Sequence, residues 1–323
     1  MPDVRRRKRP APPPSPLPQR EGIDAVRVRM PEGAGEGGTV RDHLVARLPA
    51  EATVIDRMID RGAFVTADGR PVTADSPYVV GGSVWFHREL APEVPVPFPV
   101  EVVYRDEHIV IADKPHFLAT TPRGSHVTET VLARLRRDLG LERLSPAHRL
   151  DRLTAGLVLF VVRPEERGRY QTLFRDRRVT KEYEAVAAYD PAVELPVTLR
   201  GRIEKVPGRL AAFEVPDGEP NAESTIELAE HRGGLGRYRL TPHTGRTHQL
   251  RLHMNRAGLP ILGDPLFPYE TERVADDDFR RPLQLLSRTL EFTDPVTGRE
   301  HRFVSGRRLA AWSSYEEWER GPA

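Results

Sequence analysis

The sequence predicts an α+β fold, and three observations lead there. Short apolar and β-branched runs bounded by Gly, Pro or Asp recur from about residue 100 onward, as strands do. Helical spacing is confined to a few segments, such as Val40, Leu44, Val45 and Leu48. Strands therefore dominate and helices interrupt them, which fits a mixed, largely antiparallel sheet.

The 323 residues suit two domains. Cysteine is absent, which excludes disulfides, thiolate zinc sites, iron-sulfur clusters and a cysteine nucleophile, and is compatible with a cytoplasmic location. No apolar run approaches the roughly twenty residues of a membrane helix, and the N-terminus lacks the apolar centre of a secretory signal. A soluble, cytoplasmic protein without membrane contact is expected. Net charge is only +2, but arginine greatly outnumbers lysine. Guanidinium forks suit phosphate oxygens, so nucleic acid is the first partner to test.

Residues 1–21 carry Arg5-Arg6-Arg7-Lys8-Arg9 and a proline-rich run, and read as a disordered basic tail attracted to RNA phosphates. Residues 22–90 read as a small domain. A helix starts after Thr39 as N-cap and ends before Pro49; a second spans residues 53–61 with Gly62 in the left-handed position behind it. A hairpin turns through Ala67-Asp68-Gly69, and Ser83-Val84-Trp85-Phe86 is another strand. Residues 91–99, with a proline at nearly every second position, read as an extended linker.

The second domain, residues 100–323, opens with strands at residues 102–104 and 108–112. A helix over residues 129–139 stops at Gly140, and Gly156-Leu157-Val158-Leu159-Phe160-Val161-Val162 is a buried strand. A helix over residues 164–178 is followed by strands at residues 179–186, 197–203, 222–232 and 238–241. A further helix spans residues 247–257, capped by Thr247, and a C-terminal hairpin turns through Asp294-Pro295-Val296-Thr297-Gly298.

Three places carry chemistry. Asp151 stands between Arg149 and Arg152 in the loop that feeds the apolar strand. It would act as a carboxylate, so as nucleophile or base and not as a proton donor; by itself the tetrapeptide reads first as a surface ion pair. The second place is Lys181-Glu182-Tyr183. The third runs from Thr241 to His253, where His248 and Arg251, three apart on a helix, share one face. His243, His248 and His253 are spaced by five, which does not put two imidazoles on one helical face, so no metal site is expected. No phosphate-cradling or dinucleotide Gly-rich loop is present, so no nucleotide cofactor is expected either. A carboxylate, an aromatic hydroxyl and an arginine suit chemistry at a polarised ring or a glycosidic carbon.

Taken together, His148-Arg149-Leu150-Asp151-Arg152-x-Thr154-x-Gly156, Lys181-x-Tyr183, Thr244-Gly245-Arg246-Thr247-His248-Gln249-Leu250-Arg251-x-His253 and Gly258-x-Pro260-Ile261-x-Gly263-Asp264 resemble the RluA-type pseudouridine synthases in order and spacing. The likeness extends over residues 100–305. Residues 22–90 resemble the alpha-L RNA-binding domain named after a small-subunit ribosomal protein, through Arg61-Gly62-Ala63-Phe64-Val65 and Gly69-Arg70-x-Val72.

The resemblance implies isomerisation of a uridine within ribosomal or transfer RNA: the C1′–N1 bond breaks, the uracil turns, and a C1′–C5 bond forms. No cofactor is implied, and RNA is the partner of a monomeric enzyme. Asp151 would be the catalytic carboxylate, Tyr183 would pack on the uracil, and Arg251 would pair with Asp151. Arg149 would hold the space vacated in the RNA, with Arg152, Arg246 and His248 as further RNA contacts. Phe117 stands where Gly is usual, Arg152 where Lys is common, Ala155 where Ser is frequent, and Leu285-Leu286-Ser287 where Leu-His-Ala is usual. These departures touch no catalytic group. Two other readings are an RNA-binding or ribosome-assembly protein with a vestigial active site and a glycoside or nucleoside hydrolase. The hydrolase lacks a second carboxylate in a matching motif.

Overall fold

A computed structural model describes residues 13–34, 38–269, 275 and 277–321. The basic run Arg5 to Arg9 lies outside the described residues. The chain divides into two compact units, Met1–Ala91 and Pro92–Ala323.

The first unit holds β1 (Val26–Arg29), α1 (Val40–Arg47), α2 (Ala52–Asp60), β2 (Val65–Thr66) and β3 (Ser83–Phe86), with an antiparallel sheet in the order β1-β3-β2. Thr39 caps α1 as its sequence suggests: its hydroxyl accepts from the Asp42 N–H, and the Asp42 carboxylate accepts from the Thr39 N–H, both at 3.2 Å. Leu44, Ile55, Phe64 and Val84 are fully buried between the two helices and the sheet. Gly62 takes φ +63 after α2, the left-handed conformation expected there. The expected hairpin of residues 63–66 with 70–72 forms: the Thr66 N–H donates to the Arg70 carbonyl and the Val72 N–H to the Phe64 carbonyl, both at 2.9 Å, around the Val65–Pro71 bridge, while the other edge of β2 pairs with β3.

The second unit contains β4 (Glu101–Arg105), β5 (Ile109–Lys114), α3 (Val131–Leu139), β6 (Ser145–Pro146), β7 (Ala155–Val161), α4 (Arg167–Arg175) and β8 (Val179–Ala188). There follow β9 (Val197–Glu204), β10 (Phe213–Val215), β11 (Ala222–Arg232), β12 (Leu235–Pro242), α5 (Gln249–Arg256), β13 (Leu285–Thr293), β14 (Glu300–Val304), α6 (Ala310–Ser313) and α7 (Tyr315–Arg320). Eleven strands join in one sheet, ordered β10-β9-β11-β12-β8-β13-β7-β5-β4, with β14 on β13 and β6 on β7. Only β13 with β7 is parallel, so the sheet is mixed and largely antiparallel as expected.

The apolar run at residues 156–162 is explained by burial on both faces of β7. Val158 and Phe160 join the main core with Val110 and Tyr183, while Leu157 and Leu159 pack with Ile109 and with Tyr170 and Leu173 of α4. The proline-rich stretch behaves less like a free linker than its composition suggests. Glu93 accepts from the backbone N–H groups of Val127, Thr128 and Glu129 just before α3, and Arg134 of α3 donates to the carbonyls of Val96 and Phe98. Among the described residues no helix is long and apolar enough to cross a membrane.

Candidate active site

Asp151 sits in a loop whose backbone is anchored at Leu150, Arg152 and Leu153 by the end of β5 and the segment after it. Thr120 brackets Leu150: its hydroxyl donates to the Leu150 carbonyl at 2.8 Å and accepts from the Leu150 N–H at 3.1 Å. The buried Lys114 ammonium donates to the carbonyls of Pro115, Leu118 and Arg152, at 2.9, 2.7 and 2.9 Å. Burial pushes the Lys114 amine well below its ordinary pKa, and the Asp151 charge opposes that shift. His116 Nδ1 donates to the Leu153 carbonyl at 2.7 Å, and the Thr154 N–H closes the turn on the Asp151 carbonyl at 3.1 Å. These bonds satisfy the loop's buried backbone groups without using the Asp151 carboxylate.

Phe117 explains why Gly is usual at its position, since its φ is +66. The chain keeps the strained residue because its ring is buried against Phe98 and Phe279, with centroids 6.3 and 5.4 Å away. Relief of a left-handed residue is worth about 1–2 kcal/mol, whereas truncating a buried Phe costs about 3–5 kcal/mol. Phe117→Gly is therefore expected to lower stability by roughly 2 kcal/mol, read as a lower Tm, because the lost ring outweighs the relieved strain.

His148, first in the motif, is structural. Its Nε2 accepts from the Leu159 N–H at 3.1 Å, and its ring stacks on Phe174 with centroids 4.3 Å apart. Burial pushes His148 down to about 3 and His116 down to about 4, from the ordinary 6.5. Both folded values lie below the unfolded one, so the unfolded chain binds more protons as pH falls and stability is lost. Thermal unfolding is expected to show Tm falling between pH 6.5 and about 4, with a shallower fall in His148→Gln.

The third motif folds through Gln249. Its Oε1 accepts from Thr244 Oγ1 at 2.7 Å and from the Arg246 N–H at 3.0 Å, while its Nε2 donates to the Glu223 carbonyl and to Ser224 Oγ. This fixes the turn that starts α5. His248, not Thr247, is the N-cap, with φ +57, so it does not share a helical face with Arg251 as the spacing suggested. Its Nδ1 accepts from the Ala212 N–H at 3.2 Å, and burial lowers its pKa despite the opposing charge of Asp151.

The structure brings Asp151, Tyr183, Arg251 and His248 into one electrostatic neighbourhood. Arg251 is buried, and its Nη1 lies 4.0 Å from Asp151 Oδ2. Its close partner is another residue. Nε and Nη2 donate to the two oxygens of Asp264 at 2.7 and 2.6 Å, and the Phe267 ring lies 5.5 Å from the guanidinium carbon. The expected pairing of Arg251 with Asp151 is thus the looser of two, and Asp264 aims the guanidinium. Asp264 also accepts from the N–H groups of Leu266 and Phe267, in a turn that requires Gly263: at φ +73, a Cβ there would meet the Pro282 carbonyl at 2.8 Å. Asp264 belongs to a motif quoted for its spacing alone, and nothing in the sequence signalled its role.

Tyr183 is buried beside Asp151, and burial pushes its phenol up to about 12. Arg149 is exposed without an ion-pair partner among the described residues, and Arg246 is exposed with Nε on the Asn221 carbonyl. Arg152 is partly buried and contributes its backbone carbonyl to Lys114. Gly156, at φ +109, lets β7 approach β13: a Cβ there would stand 2.3 Å from the Ser287 carbonyl.

Residues 108–256 match the RNA pseudouridylate synthase family. The ribosomal large subunit pseudouridine synthase D of Vibrio vulnificus is 32% identical over 261 residues, covering 74% of this chain and 78% of its own length. The dual-specificity RNA pseudouridine synthase RluA of Haemophilus influenzae is 31% identical, covering 63% of this chain and 91% of its own. Human pseudouridylate synthase RPUSD2 is 34% identical over 171 residues, but the chain spans only 31% of its length. Among solved structures, human RNA pseudouridylate synthase domain containing 1 superimposes with TM-score 0.54 at 21% identity, over 67% of this chain and 87% of that one, which supports the fold. With a relative matched over most of its length and the ordered motifs gathered around Asp151, the chain belongs to the RNA pseudouridine synthase family, of the RluA type.

Proposed function

We propose that the chain isomerises specific uridines in ribosomal or transfer RNA to pseudouridine, with Asp151 as the reacting carboxylate. The observation that carries this reading is the division of labour between two aspartates around Arg251. Asp264 takes the guanidinium fork, so Asp151 stays 4.0 Å away, partly exposed and without a side-chain hydrogen bond among the described residues. A carboxylate locked in a bidentate pair would have its lone pairs occupied; this one is oriented and open. Isomerisation is redox-neutral: C5 loses a proton, N1 gains one, and the same base is reattached. Tyr183, held protonated by burial, is the aromatic wall for the uracil and can donate its O–H. The target nucleotide leaves its stack at a cost of a few kcal/mol, which contacts from Arg149, Arg152, Arg246 and His248 offset.

The first unit acts in the same reading as an alpha-L-like RNA-binding domain, preceded by the basic tail. Its two short helices on a small sheet, with Arg47 and Arg57 exposed and without carboxylate partners among the described residues, support that role. The test is to map pseudouridines across total RNA from cells with and without the protein. One or a few sites in ribosomal or transfer RNA are expected to disappear without it, and an unchanged map would defeat the proposal.

A further inference from the structure

We propose that Lys181, beneath the bare backbone of Gly245, forms a subsite for a phosphodiester oxygen of the RNA strand next to the target uridine. The inference rests on the reading of the Asp151 site as a uridine-isomerising one and adds a residue to which that reading gives no task. Lys181 precedes Tyr183 by two residues on β8 and so projects from the same face of the strand. Its ammonium makes no hydrogen bond and no ion pair among the described residues. The other strongly placed cations near the site have fixed partners: Arg251 has Asp264, and Lys114 has three carbonyls. Glu182, next in sequence, points to the other face and pairs with Arg239 at 3.4 Å. Burial lowers the Lys181 pKa, and no carboxylate opposes the shift.

The surroundings are shaped for an anion. A Cβ on Gly245 would lie 4.0 Å from Lys181 Nζ and would meet nothing nearer, so the glycine leaves the space over the amine open. Gly245 directly precedes Arg246, so the amine lies against the turn that presents that arginine, and its charge is also felt by His148, next to Arg149. A partly buried, unpartnered cation is costly unless an anion completes it. Uracil is neutral, so the anion that RNA brings to this place is its backbone phosphate, which a compact ammonium binds as a point charge.

The test measures binding of the full chain to decauridylate at several salt concentrations. Lys181→Gln is expected to weaken binding about tenfold, as for one lost hydrogen bond to a charged group. It should also reduce the slope of log affinity against log salt by about 0.7, one phosphate contact on a single strand. Lys181→Arg should keep most of both. A second measurement needs no variant: the chain has four lysines, and saturating decauridylate is expected to protect Lys181 from an amine-acylating reagent. An unchanged salt slope in Lys181→Gln, or equal acylation with and without RNA, overturns the proposal; if Lys181→Gln does not fold, the acylation result decides. Failure of the enzymatic reading looks different. Lys181 would then be protected while no uridine is isomerised, whereas isomerisation without protection removes this subsite alone.

Discussion

Asp151→Asn is expected to abolish tritium release from RNA carrying 5-tritiated uridine, a loss on the order of 10⁴-fold or more, as for removal of a reacting group. RNA affinity and Tm are expected to stay at wild-type values. The structure supports that separation, because the Asp151 side chain is 35% exposed and its nearest ionic neighbour is 4.0 Å away. The loop is held by its backbone, through Thr120, Lys114 and His116, and none of those bonds involves the carboxylate. Asn keeps the shape and removes only the charge. A variant with residual turnover near wild type would transfer the chemistry to another group.

Arg251→Met has the second-largest expected effect, on both stability and turnover. It leaves the Asp264 side chain, 1% exposed, without its guanidinium. An uncompensated buried charge costs about 3–5 kcal/mol, so a clear fall in Tm is expected. Turnover should fall as well, because Asp151 loses the group that orients it. Arg251→Lys restores a charge but not the planar fork, so stability should partly return while kcat stays about 100-fold low, the scale of an ångström-sized misplacement. The paired variant Arg251→Met with Asp264→Leu separates the two effects. Replacing a whole buried pair by apolar groups is often neutral, so its Tm should recover while its activity does not. Recovery of activity in that double variant would count against any role for the guanidinium in turnover.

How much was legible follows from where each signal lies in the chain. The Asp151 loop was readable because its chemistry and the strand that fixes it are contiguous, and an apolar run buried on both faces leaves a plain pattern in residues 156–162. The cap at Thr39 and the stop at Gly140, which takes φ +66, were readable because capping is local. Asp264 was opaque for the opposite reason. It meets Arg251 across thirteen residues, through a turn that depends on Gly263, and no periodicity reports such a pairing. His248 misled because its spacing from Arg251 suits a helix, whereas its left-handed backbone takes it out of that register. Lys114 is the last residue of β5, and no local pattern reports that its amine gathers three carbonyls, one of them from Arg152 in the Asp151 loop. The strands β6 and β10, of two and three residues, carried too few to show alternation, β1 alternates only over Val26-Arg27-Val28-Arg29, and the segment from Glu93 to Phe98 hid its packing behind prolines.

The central claim is that one base is detached and reattached to the same sugar through another atom. Nucleoside analysis of RNA incubated with the purified protein, with free bases measured in the same sample, tests this most directly. Pseudouridine should appear in amounts equal to the uridine lost, with no free uracil. Release of free uracil would identify a hydrolase, and an RNA whose nucleosides do not change would leave the residues around Asp151 without the activity derived from them.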